Sequence, residues 1–162
     1  MIDALAQRYQ SGDTTGTWTE LRRLRDAQPD DAGLLFLEAR LLDHEGHAER
    51  ALPLYRRAVE LDPSDPVAWT NLAYVQGSID RDEGIATYRQ LLARFPEDAT
   101  AWANLGTLLE SSDVAGAIAA YRTAVALEPA LDGVAERLGA LEGEHSRPLT
   151  APTRRTPRPP SD

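Results

Sequence analysis

The chain has 162 residues, 42% of them hydrophobic, which is enough for one elongated core. Its formal charge is −9, with 26 acidic against 17 basic residues, and this balance argues against nucleic acid as a partner, because phosphate-binding modules carry a basic footprint. Every basic residue is Arg and there is no Cys, so Schiff-base lysines, disulfides, thiolate metal sites and cysteine nucleophiles are all excluded.

The N-terminal stretch from Met1 to Arg8 lacks a basic segment followed by an apolar one, so it does not read as a signal peptide. No run approaches the ~20 apolar residues of a membrane span. A cytoplasmic protein with no membrane partner is the expectation.

An internal period organises the rest. Pro29, Pro63, Pro96 and Pro129 are separated by 34, 33 and 33 residues. Self-similarity of this length marks a repeat architecture. Each proline sits where a helix must stop, since it lacks an N–H and restricts the residue before it. Two residues after three of these prolines stand Asp31, Asp65 and Asp98, placed to cap the next helix by accepting a backbone N–H.

The period divides the chain into units at about 1–31, 32–65, 66–98 and 99–131. Unit one is degenerate. Its second helix, around Trp18, Leu21 and Leu24, keeps the apolar spacing, and Ser11-Gly12-Asp13 supplies its turn. Unit two carries Leu35 six residues after Pro29 and then Ala51, Leu52, Tyr55, Ala58 and Val59 at helical spacing, with Glu45-Gly46-His47 as the turn. Units three and four carry Trp69 and Trp102 at the Leu35 place, and Tyr88 and Tyr121 at the Tyr55 place. Both are one residue shorter, and the deficit falls between their two helices. Small residues recur where paired helices approach: Ala39, Ala73 and Gly106 in first helices, Ala51, Gly84 and Ala117 in second helices.

A last helix over 132–143 has no partner and is expected to cap the array, with Glu136, Arg137 and Glu142 keeping its outer face polar. From 144 the composition changes to five prolines and four arginines with almost nothing apolar, which is expected to be a disordered tail. Residues 1–143 hold 13 Arg and 24 acidic residues, a balance of −11, while the tail holds 4 Arg and 2 acidic residues, a balance of +2. Arg154-x-x-Pro157-x-x-Pro160 fits a Pro-rich ligand pattern, but a solvated linker or terminal tail is the expected reading.

Ala68-Trp69-Thr70-Asn71-Leu72-Ala73 and Ala101-Trp102-Ala103-Asn104-Leu105-Gly106, followed by Ala117-x3-Tyr121 and Pro129, resemble the tetratricopeptide repeat, whose signature runs Trp-x2-Leu-Gly-x2-Tyr, then Ala-x3-Phe, then Pro. The resemblance implies an all-α solenoid of stacked antiparallel hairpins and a non-catalytic scaffold for proteins. It implies a concave face lined by the first helices, where a peptide or protein partner of unknown identity would lie. The residues on that face would be Phe36, Arg40, Thr70, Asn71, Tyr74, Asn104, Thr107 and Arg137. In proteins of this family the Asn at the place of Asn71 and Asn104 commonly contacts peptide backbone. Members that clamp the acidic tails of chaperones use Lys and Arg, but here Val67 and Thr100 stand where basic residues would be needed.

Two other roles are open to such an array. It can serve as a subunit of a larger assembly through its outer helices or ends. An enzyme would need a catalytic constellation, and none stands out. His44 and His47 flank the Glu45-Gly46 turn, where polar turn residues suffice as a reading. No cofactor is implied.

Overall fold

The computed structural model describes residues 1–145, which form nine helices and no strand. They are α1 (Ile2–Gln10), α2 (Thr14–Ala27), α3 (Ala32–His44), α4 (Ala48–Leu61), α5 (Pro66–Ile79), α6 (Arg81–Arg94), α7 (Ala99–Leu109), α8 (Val114–Leu127) and α9 (Val134–His145). The expected tail, including the Arg154–Pro160 pattern, lies outside the described residues from 146 onward. The last helix begins and ends two residues later than the stretch 132–143.

Helix starts follow the capping chemistry. Asp31, Asp65 and Asp98 accept from the backbone N–H of Leu34, Val67 and Ala101 at 2.8–2.9 Å. A second set of aspartates, not anticipated, does the same for the partner helices: Asp13 and Asp113 accept from Gly16 and Gly116, and Asp80 from Asp82 and Glu83. Each cap satisfies an N–H that no intrahelical carbonyl can reach. Gly12 and Gly46 adopt φ of +95° and +81° in the turns before α2 and α4, a backbone state that side-chain-bearing residues rarely enter.

Within α3–α4, α5–α6 and α7–α8 the two helices pack intimately along their length, and α1–α2 packs far more sparsely. Small residues permit the close approach. A methyl group on Gly84 would stand 2.5 Å from the Cα of Gly77, and one on Gly106 would stand 2.9 Å from the Tyr121 ring. Tyr55, Tyr88 and Tyr121 are buried to 3% exposure or less and fill the interior of the three hairpins.

The core is a chain of three clusters rather than one ball. The first joins α1, α2 and α3, the second α3, α4 and α5, and the third α5 through α9. Trp18 packs against both the first and the second, and Trp69 against both the second and the third. Trp69 and Trp102 also donate Nε1–H to the carbonyls of Pro63 and Pro96 at 3.1 and 2.9 Å, tying each first helix to the end of the preceding unit. Such nearest-neighbour packing is how repeat arrays accumulate stability.

Successive first helices touch: α1 with α3, α3 with α5, and α5 with α7. Successive second helices make no comparable contact. The stack therefore curves with α1, α3, α5 and α7 on its inner side. No helix among the described residues is long and apolar enough to cross a membrane.

Candidate functional site

A helix that buries one face must present another, and the first helices present theirs to the inside of the curve. On α5 the buried stripe is Ala68, Leu72, Ala73, Val75 and Gln76. This stripe leaves Tyr74 outward, 61% exposed, although the other tyrosines of the array are buried or half-buried. Beside Tyr74 lies a cavity of about 170 Å³, lined by Tyr74, Gly77, Ser78, Tyr88, Asn104, Thr107 and Leu108. It opens between α5 and α7, with Tyr88 of α6 at its back.

The polar atoms around this cavity are largely engaged within the protein. The Ser78 hydroxyl donates to the Val75 carbonyl at 2.7 Å. The Thr107 hydroxyl lies 3.2 Å from the Ala103 carbonyl and 2.9 Å from the Tyr121 hydroxyl. The Tyr88 hydroxyl donates to the Thr70 carbonyl at 3.4 Å. Burial holds the Tyr88 pKa above that of free tyrosine, and the Asn104 amide facing it pulls in the opposite direction.

Thr70 is half-buried, so it contributes its carbonyl to Tyr88 rather than an open side chain to the groove. Asn71 is also half-buried and turns its Nδ2 back onto its own helix, donating to the Val67 carbonyl at 2.7 Å. Its Oδ1 and second amide proton remain for another partner. Tyr55, which precedes Asn71 as Tyr88 precedes Asn104, has no hydrogen-bond partner for its buried hydroxyl among the described residues.

At the C-terminal end Arg137 falls in the same row as Asn71 and Asn104, but it is engaged. Its Nε donates to Glu110 at 2.7 Å and its Nη2 to the second carboxylate oxygen. Tyr121 donates to the same carboxylate at 2.7 Å. Arg137 holds the Glu110 carboxyl below the ordinary glutamate range, and burial pushes the Tyr121 phenol up to about 12.

At the N-terminal end Phe36 is half-buried, with its ring 5.8 Å from that of Tyr55, and the Arg40 guanidinium sits 5.7 Å from the Phe36 ring. Arg40 is exposed and makes no ion pair among the described residues. It lines a second cavity of about 330 Å³ between α1 and α3, with Ala6, Tyr9, Gln10, Leu37, Leu41 and His44. His44 ends α3 and meets Tyr9 edge-on at 5.6 Å. Tyr9 and His44 were missed as groove residues because α1 lacks the repeat's marker residues. Among the described residues no three His, Asp or Glu side chains converge as a metal site.

The predicted residues therefore fall into three places along the inner face. Phe36 and Arg40 stand at the N-terminal cavity, Thr70, Asn71, Tyr74, Asn104 and Thr107 at the centre, and Arg137 at the far end. Gly77, Tyr88 and Leu108 complete the central cavity. Their signal is weak in the sequence, since it requires knowing which residues of α7 oppose α5.

Stacked hairpins with their first helices on the inside define a helical-repeat scaffold. Tetratricopeptide repeat models match residues 33–75 and 71–132, and the chain belongs to the tetratricopeptide repeat family. No curated protein sequence matches it. Three solved structures show how widely the fold is shared. MamA (residues 41 to the end) from Desulfovibrio magneticus RS-1 is 19% identical, over 88% of this chain and 82% of that one, with a TM-score of 0.77. The pilF protein of Pseudomonas aeruginosa is 20% identical, over 89% and 67%, with a TM-score of 0.78. The first repeat domain of Spaghetti (RPAP3), solved bound to the HSP90 peptide SRMEEVD, is 18% identical, over 72% and 94%, with a TM-score of 0.67.

Proposed function

We propose that this protein is a non-catalytic adaptor whose inner face holds a peptide segment of a protein partner. The observation that carries the reading is Tyr74. A large aromatic ring left 61% exposed in mid-helix, beside a preformed cavity, is surface that a partner would bury. Asn71 supports it, because an amide with an acceptor and a donor still available suits any peptide backbone. The repeat fold is a general protein-interaction scaffold, and one structural neighbour was solved with a peptide bound.

A photo-crosslinking side chain placed at Tyr74 tests this, with a control at Arg89 on the outer helix α6. In lysate of the source cells, position 74 should capture a defined partner, and Asn71→Ala should reduce that adduct. Equal adducts from both positions, or an adduct indifferent to Asn71, would remove the groove as the binding surface.

A further inference from the structure

Charged residues make up 27% of this chain, yet α5 and α7 contain none at all, from Pro66 to Ile79 and from Ala99 to Leu109. These are the two helices that flank the central cavity. Charges stand only around the ends of these helices, where Asp98 caps α7. Glu110 is paired with Arg137, and Arg81 donates to Ser111 at the edge of the groove. The −11 balance of residues 1–143 is thus carried by other helices and by the turns.

The cavity between α5 and α7 has its own chemistry. Its hydroxyls at Ser78 and Thr107 are bonded internally, which leaves the rings of Tyr74 and Tyr88, the Leu108 side chain and the bare backbone of Gly77 as the contact surface. At about 170 Å³ it slightly exceeds the ~150 Å³ apolar cavity known to accept a benzene molecule. That is room for one leucine or phenylalanine side chain.

We infer that the segment held across α5 and α7 is uncharged along its contact and is anchored by one leucine- or phenylalanine-sized side chain in the Tyr74–Leu108 cavity. This rests on the groove reading above and narrows it. A charge on the ligand at this point would be stripped of water and meet no opposite charge, which is strongly unfavourable. Inside the cavity neither an acidic nor a basic side chain finds a counter-charge. Binding is therefore driven by apolar burial and is insensitive to salt.

The test uses the full-length chain and a phage-displayed library of random short peptides. Selected peptides are synthesised and their affinities measured at low and high ionic strength. The measurements are made for wild type, Tyr74→Ala and Ser78→Asp, both at exposed positions, with unchanged melting confirming that each variant folds. The expected peptides carry one Leu or Phe between uncharged residues and change affinity by less than about twofold with salt, because no ion pair is screened. Both variants should weaken them at least about tenfold, the effect of losing about 1.4 kcal/mol. Peptides that are lost in Tyr74→Ala but are rich in acidic or basic residues, and that weaken with salt, would overturn the inference and keep the groove. Peptides indifferent to both variants, or no enrichment, would overturn the groove reading and this inference with it.

Discussion

Arg137 of α9 grips Glu110, just past the end of α7, with two nitrogens, Nε at 2.7 Å and Nη2 on the other oxygen. The contact spans 27 residues and ties the last helix, which packs on α8, to the end of α7. Glu110 titrates below the ordinary value of 4.5, chiefly because of the Arg137 hydrogen bond. A depressed carboxyl adds stability that is complete above its unfolded pKa and lost as pH falls through its folded one. Arg137→Gln should therefore melt below wild type at neutral pH, and the gap should close in acid as Glu110 protonates. Thermal unfolding followed by circular dichroism between neutral and strongly acidic pH checks this. A gap that persists unchanged in acid would remove the ion pair as its cause.

Tyr55 and Tyr121 occupy equivalent places in two hairpins but should respond oppositely to loss of the hydroxyl. Tyr121 bonds to Thr107 and Glu110, so Tyr121→Phe should cost about 1–3 kcal/mol. The Tyr55 hydroxyl is buried without a partner among the described residues, so Tyr55→Phe should be neutral or stabilising by up to about 1 kcal/mol. Urea denaturation of both variants gives the comparison.

Two glycines make a similar pair. Gly84→Ala drives a methyl into the backbone of Gly77 and should cost about 1–3 kcal/mol by overpacking. Gly139→Ala meets nothing within 4 Å among the described residues, on an exposed stretch of α9, and should stabilise by about 0.5–1 kcal/mol through lower chain entropy. Melting temperatures should move in opposite directions.

Trp69 joins the second and third core clusters, and its Nε1–H holds the Pro63 carbonyl. Trp69→Ala should cost about 3 kcal/mol. It should also uncouple the array, so that hydrogen exchange in α1–α4 and in α6–α8 opens with two separate free energies. A single shared opening energy would show that coupling runs elsewhere.

The hairpin order was legible in the sequence because prolines, aspartates and tyrosines mark helix ends and interiors at a fixed period. Asp31, Asp65 and Asp98 could be read as caps since each follows a proline by two residues. Asp13, Asp80 and Asp113 cap helices just as directly and keep the same 34- and 33-residue beat, but no proline precedes them as a marker and the equivalent place in unit two holds His47. The row Asn71, Asn104, Arg137 was also visible, being spaced by 33 residues. What each does was not, because it depends on contacts between units. Arg137 meets Glu110 from the previous hairpin, and Asn71 turns back to Val67. The loose packing of α1 on α2, and with it the cavity at Tyr9 and Arg40, left no mark in the periodicity.

Asp80 both ends α5 and caps α6, so a single residue is the whole connection between them. In α7–α8 the same spacing is met by an earlier helix end and four residues between, 110–113. The two hairpins thus differ in tolerance to length change. One residue added or removed at Asp80 has no slack to absorb it and must turn α6 by about 100° about its axis. Tyr88 and Leu91 would then swing out of the interior and charged neighbours would swing in. The same change within 110–113 can be taken up by the turn. Natural variation in length, and engineered insertions such as tags or reporter loops, should therefore be accepted between α7 and α8 and refused between α5 and α6.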